Sequence, residues 1–153
     1  MASSFIPSAP QAPLDRTLAN EGFWPALSLA EMRDRTGLSM AVGAERIEAA
    51  LTAAMIEVNA ALARWRADQS AATLDRVPAP LHDGVSAKVL AYKAAVYTRA
   101  RAALIETERD YDSTKSGHDR ADALETTADS WLRLSHEALA RVMDRARVTV
   151  ELI

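Results

Sequence analysis

A chain of 153 residues, 49% hydrophobic and 25% charged, is about the size of one domain and can bury an ordinary core. Its formal charge of -3 excludes an overall basic field that would draw in nucleic acid, and its lack of cysteine excludes disulfides, thiolate metal sites and thiol catalysis. No apolar run approaches the ~20 residues of a membrane span, and MASSFIPSAPQAP at the start has neither the basic nor the apolar region of a secretory signal. The expectation is a soluble chain, made and used in a cytoplasm.

Residues 1–27 read as an extended N-terminal arm. Pro7, Pro10, Pro13 and Pro25 favour open backbone and remove hydrogen-bond donors, so a helix is not expected there. The arm carries Phe5, Ile6, Phe23 and Trp24 as candidate contacts with a neighbour. Of these, the Phe23-Trp24-Pro25 step is expected to pack on the domain itself, because two large exposed rings would be costly.

Residues 28–145 read as a helical domain. Ser28 caps a short first helix with Glu31 in the capping-box position, Leu29 and Met32 face inward, and Gly37 ends it. A second helix is predicted over 44–69, with Ile47, Leu51, Ala54, Met55, Val58, Leu62 and Trp65 on one stripe. Its opposite face carries Glu45, Glu48, Glu57, Arg64 and Arg66. The connection SAATLDRVPAPLHDG, broken by Pro78 and Pro80, is read as a long loop. Ser86 can cap a third helix over 87–111, striped by Val89, Tyr92, Val96, Ala100, Ala103 and Leu104 and ending in Tyr111. After a polar turn, a fourth helix over 119–145 buries Leu124, Ala128, Trp131, Leu132, Ala138, Leu139 and Val142, with Arg141 and Arg145 suiting its negative end. Alanine, about a fifth of the chain, lets the helices approach closely.

The chain ends RVTVELI. Val148, Val150 and Leu152 alternate with Arg147, Thr149 and Glu151, the period of a half-buried strand, and Ile153 completes it. No other segment reads as a strand, so residues 146–153 form a tail whose backbone needs a partner. The predicted fold is therefore all-α: a bundle of three long helices and one short one, with an extended arm and a C-terminal strand that pairs with another chain.

Chemistry-bearing constellations are sparse. His82, Asp83 and Ser86 sit in and beside a proline-broken loop without the G-x-S-x-G elbow of a hydrolase. His136 has no second histidine one turn on, and His118 beside Asp119 reads as a helix start. Asp110-x-Asp112-x-Thr114 resembles a calcium loop, but neither register supplies both the glycine and the closing glutamate. Leu29 to Leu51 has the look of a helix-turn-helix, and a small DNA-binding regulator is the alternative reading. Arg33 stands where that motif wants a small residue, Gly43 where it wants a buried aliphatic, and Ser39-Met40-Ala41-Val42 offers little to read base edges. No catalytic residue, metal site or cofactor is assigned.

The aromatic step Gly22-Phe23-Trp24-Pro25, the helix end MIEVNAALARWRADQ, then DRVPAPLHDG, AVYTRARAALIETERDYDSTKSGHDRADALETTADSW and RARVTVELI occur in an order and spacing that resemble the phage head completion protein (GPL) family of contractile-tailed phages. The resemblance covers about residues 20–153. It implies a structural virion protein of the head-to-tail connector, assembled in the host cytoplasm. Such a protein forms a ring, a dodecamer to match a twelvefold portal, that binds the portal protein after packaging, stabilises the filled head and receives downstream neck and tail completion proteins. Packaged DNA would pass through the ring without sequence-specific contact, and no membrane is involved. Under that reading the tail, Arg147, Val148, Thr149, Val150, Glu151, Leu152 and Ile153, adds a strand to a portal sheet edge or to an adjacent copy. Glu45, Glu48 and Glu57 of one copy, facing Arg99, Arg101 or Arg109 of the next, are candidate charges between subunits.

Overall fold

The computed structural model describes residues 14–111 and 117–145, with the side chains of 109–126 outside that description. Four helices dominate it: α1 (Leu29–Thr36), α2 (Ala44–Ala67), α3 (Ala87–Tyr111) and α4 (Gly117–Val142). The three long helices and one short one predicted from the periodicity are all present, with ends shifted by no more than three residues.

Two small antiparallel sheets, which the sequence reading lacked, hold the connections. Thr17–Leu18 (β1) pairs with Leu27–Ser28 (β2), and Leu81–His82 (β3) pairs with Val85–Ser86 (β4). The second is a two-residue hairpin. Asp83 at φ 50° and Gly84 at φ 76° both occupy the left-handed region, as a primed turn requires. The prolines at 78 and 80 thus precede a defined turn and not an open loop.

Helix α1 begins as its capping signal implies. The Ser28 hydroxyl accepts a hydrogen bond from the Glu31 N–H at 3.2 Å, and Gly37, at φ 60°, closes the helix. The reciprocal half of the capping box is absent. The Glu31 carboxylate turns instead to Lys93, Tyr97 and Arg35, while the Tyr97 hydroxyl accepts from the Ser28 N–H. A local cap has become a tie between α1 and α3.

Helix α3 is central, packing against α1, α2 and α4. That position explains why Ala95, Val96 and Tyr97 are all buried although a single stripe would bury only one of them. Facing it, α2 buries Ile47, Leu51, Ala54, Val58 and Leu62, while Met55 and Trp65 are half-buried. From α4, Ala128, Ala138, Leu139 and Val142 enter the core, and the buried Ser135 hydroxyl donates to the Ala95 carbonyl at 2.8 Å. Trp131 and Leu132 are half-buried.

Residues 14–27, read above as part of the arm, fold onto the body. Leu18, Phe23, Trp24 and Leu27 belong to the same core as the helices, and Phe23 and Trp24 keep only 7% and 6% of their surface exposed. Their packing on the domain matches the expectation for the aromatic-proline step.

Candidate interaction site at the end of the bundle

The C-terminus of α4 and the N-terminus of α3 lie together at one end of the bundle. Here α4 closes in a Schellman arrangement, in which the Arg145 N–H donates to the Ala140 carbonyl at 2.9 Å and the Asp144 N–H to the Arg141 carbonyl at 3.3 Å. The residue that must turn left-handed is Asp144, at φ 54°, where glycine is the usual choice. Its identity is explained across the interface. Lys88, in the first turn of α3 and buried, donates to Asp144 Oδ2 at 2.6 Å and to the Val142 carbonyl at 2.9 Å. One ammonium therefore satisfies a terminal helix carbonyl and fixes the carboxylate two residues beyond it.

An aromatic cluster backs this lysine. Its Nζ lies 5.4 Å from the Trp65 ring centre. Trp65 stacks on Trp24, which stacks in turn on Tyr92 at 4.8 Å, while Phe23 meets Trp24 edge-on at 4.8 Å. The Arg66 guanidinium lies 3.9 Å above Phe23. Beside the cluster, Gly22, Pro25, Leu74 and Val89 help line a recess of about 190 Å³.

Two polar networks brace the bundle behind this end. Asn20, Asn59 and Tyr92 form a closed triangle. Asn20 Nδ2 donates to the Tyr92 hydroxyl at 2.8 Å, that hydroxyl donates to Asn59 Oδ1 at 2.6 Å, and Asn59 Nδ2 donates to Asn20 Oδ1 at 3.0 Å. Burial pushes the Tyr92 phenol up to about 12, against the hydrogen bond from Asn20 and with the nearby Glu21 charge. Burial alone would raise the Glu31 carboxyl as well. Hydrogen bonds from Lys93 and Tyr97, with the charges of Lys93 and Arg35, instead hold it below its ordinary value.

The residues singled out from the sequence separate clearly. The tail residues 147–153, together with Phe5 and Ile6, lie outside the described residues, as do the side chains of Arg109, His118 and Leu124 and the turn at 112–116. Phe23 and Trp24 are core. Glu45 is exposed, Glu48 pairs with Arg16 at 2.6 Å, and Glu57 pairs with Arg99 within the same chain. Arg101 is half-buried, and its Nε has no hydrogen-bond partner among the described residues. His82 is exposed on the hairpin while Ser86 is buried with its hydroxyl accepting from the Lys88 N–H, so the two do not form a catalytic pair. Among the described residues, no group of three acidic or histidine side chains is placed to hold a metal ion.

The helix-turn-helix reading finds no support in the geometry. Ser39 to Val42 form a turn, and α2 begins only at Ala44. Arg33 is buried under that turn, its guanidinium donating to the Val42 carbonyl. Sequence reasoning missed Lys88 altogether, since nothing in the local pattern marks that lysine as the one beneath the end of α4.

The comparisons with known proteins cover most of the chain. The profile of the family described as phage head completion protein (GPL) matches residues 18–153. The head completion/stabilization protein of Escherichia phage P2 is 34% identical over 139 residues, covering 89% of this chain and 82% of that protein. No solved structure matches. The match begins at Leu18, where β1 joins the core, and includes every helix described above. The chain belongs to the phage head completion protein (GPL) family.

Proposed function

We propose that this chain is a structural component of the phage head that completes and stabilises the filled capsid. It assembles as a ring on the portal after packaging, with DNA passing through the lumen, and presents the platform to which neck and tail proteins attach. The observation that carries this reading is the family match, which extends from the first core strand through RVTVELI at 147–153.

The geometry supports a division of labour. The body is tied together by buried aromatics and polar networks, with a pinned exit for its last residues. Those residues have the alternation of a strand that completes another chain's sheet, and the edge we assign is that of the portal. An acidic chain suits a channel for DNA, because a lumen binding phosphate tightly would hold back ejection. No chemistry is assigned to the site.

The test uses filled heads from a phage in which this gene is interrupted. Adding the purified chain is expected to protect the packaged DNA from nuclease and to restore joining to tails. Heads that stay nuclease-sensitive and tailless after addition, with the chain shown folded, would overturn the assignment.

A further inference from the structure

Helix α2 has a second face that the described residues of its own chain leave uncovered. Opposite the core stripe, Ala49, Ala53, Ile56, Ala60, Ala63 and Ala67 recur at alternating intervals of four and three, and all are exposed. This is the heptad spacing of a helix seam and not a scatter of surface alanines. At its middle Ile56 leaves 61% of its surface in solvent, among the most exposed large hydrophobic side chains of the described residues. Ile56 also borders two shallow depressions of about 560 and 520 Å³, one toward Glu45 and Thr52 and the other toward Asn59 and Ala63. A protruding isoleucine between two hollows is the relief that fits a copy of itself turned end for end.

The charges on either side of the seam select the occupant. At 100° per residue, Arg46 and Asp68 lie on one edge of α2, and Glu48 and Arg66 lie on the other. Both pairs share one midpoint, at Glu57. When two copies of α2 pack antiparallel about that point, Arg46 comes level with Asp68 on both ends of the contact, each charge meeting its opposite. Glu48 comes level with Arg66, although these two are already engaged within their own chain by Arg16 and by the Phe23 ring. The same register sets Ile56 of one copy against the hollow beside Ala60 of the other. Glu57, brought near its own counterpart, is already neutralised within its chain by Arg99. A parallel two-fold arrangement would instead turn Arg46 toward Glu48 and Asp68 toward Arg66, of which Glu48 and Arg66 are already engaged within the chain.

We propose that the outer face of α2 is a two-fold, antiparallel contact between two copies of this chain. The pairing does not rest on the head-completion reading, and being isologous it closes at two copies. The seam is roughly 27 Å long at 1.5 Å per residue. It therefore covers on the order of 300 Å² at a ~10 Å helix width, below the ~800 Å² per partner of a stable interface. The dimer is reversible and concentration-dependent.

The chain's freedom from cysteine makes the test direct. In the otherwise native full-length chain, Ile56→Cys is expected to form disulfide-linked dimers at least tenfold faster than Leu134→Cys, a half-exposed control site on α4. Arg46→Glu in the Ile56→Cys background should slow that linkage at least threefold, and adding Asp68→Arg should restore it to within a factor of two. Equal rates at positions 56 and 134, or no rescue by the double reversal, would overturn the proposal. Because no phage component is present, failure here leaves the assignment to the head untouched, and nuclease-sensitive heads would leave this pairing untouched.

Discussion

Lys88 Nζ stands 2.6 Å from Asp144 Oδ2 and 2.9 Å from the Val142 carbonyl, so the first turn of α3 holds the last turn of α4. The two ends differ in environment. The lysine side chain is 5% exposed, and that of Asp144 is 77% exposed. Solvent screening leaves the ion pair itself a small contribution, and the weight falls on the buried ammonium and the helix carbonyl.

Replacing Lys88 with Met removes that donor while preserving the stem that packs beside Trp65. The Val142 carbonyl loses a partner, at a cost of about 1–3 kcal/mol. Urea denaturation should show a lower midpoint at unchanged slope. Asp144→Asn should cost less than Lys88→Met, because asparagine tolerates the left-handed backbone and can still accept from the lysine.

Burial of the Tyr92 phenol, within the Asn20–Tyr92–Asn59 triangle, makes stability sensitive to alkali. A phenol pushed up to about 12 keeps its proton in the folded state after the unfolded phenol, near 10, has lost it. Its contribution is complete below pH 10 and is lost as pH rises from 10 toward 12. Tyr92→Phe should lower stability by about 1–2 kcal/mol at neutral pH. The difference from the native chain should shrink across that alkaline window in pH-dependent denaturation.

Glu31 acts at the other limb. Its carboxyl is held below its ordinary value of 4.5 by Lys93, Tyr97 and Arg35, so it favours the folded state once ionised. The contribution is present above pH 4.5 and is lost as pH falls through the lowered folded value. Glu31→Gln should reduce stability at pH 7 and converge on the native chain in acid. A constant difference from pH 7 to pH 3 would contradict the arrangement.

The helices were legible because apolar side chains at intervals of three and four leave a periodic trace, and Ser28 and Gly37 mark the ends of α1. The hairpin at Leu81–Ser86 had a signal in Asp83-Gly84. Its strands are two residues long, however, and too short to alternate visibly. Tyr97 escaped the stripe through Tyr92 because α3 is covered on several sides, which one-face periodicity does not express. Lys88 and Ser135 were invisible for a different reason: their partners, Val142 and Ala95, are backbone groups 54 and 40 residues away. Arg33 was noticed as an obstacle to DNA binding, and its position under the Val42 turn gives that obstacle a physical form. The tail carries its alternation without tertiary context, and it lies outside the described residues.

The central claim is that residues 147–153 bind the portal. Its most direct measurement compares the full chain with a variant lacking those residues on immobilised portal rings, with circular dichroism establishing that both fold. The account predicts that the full chain is retained and that the shortened one, with the same helical signal and unfolding midpoint, is lost in the wash. Retention of the shortened chain at the level of the full one would contradict it.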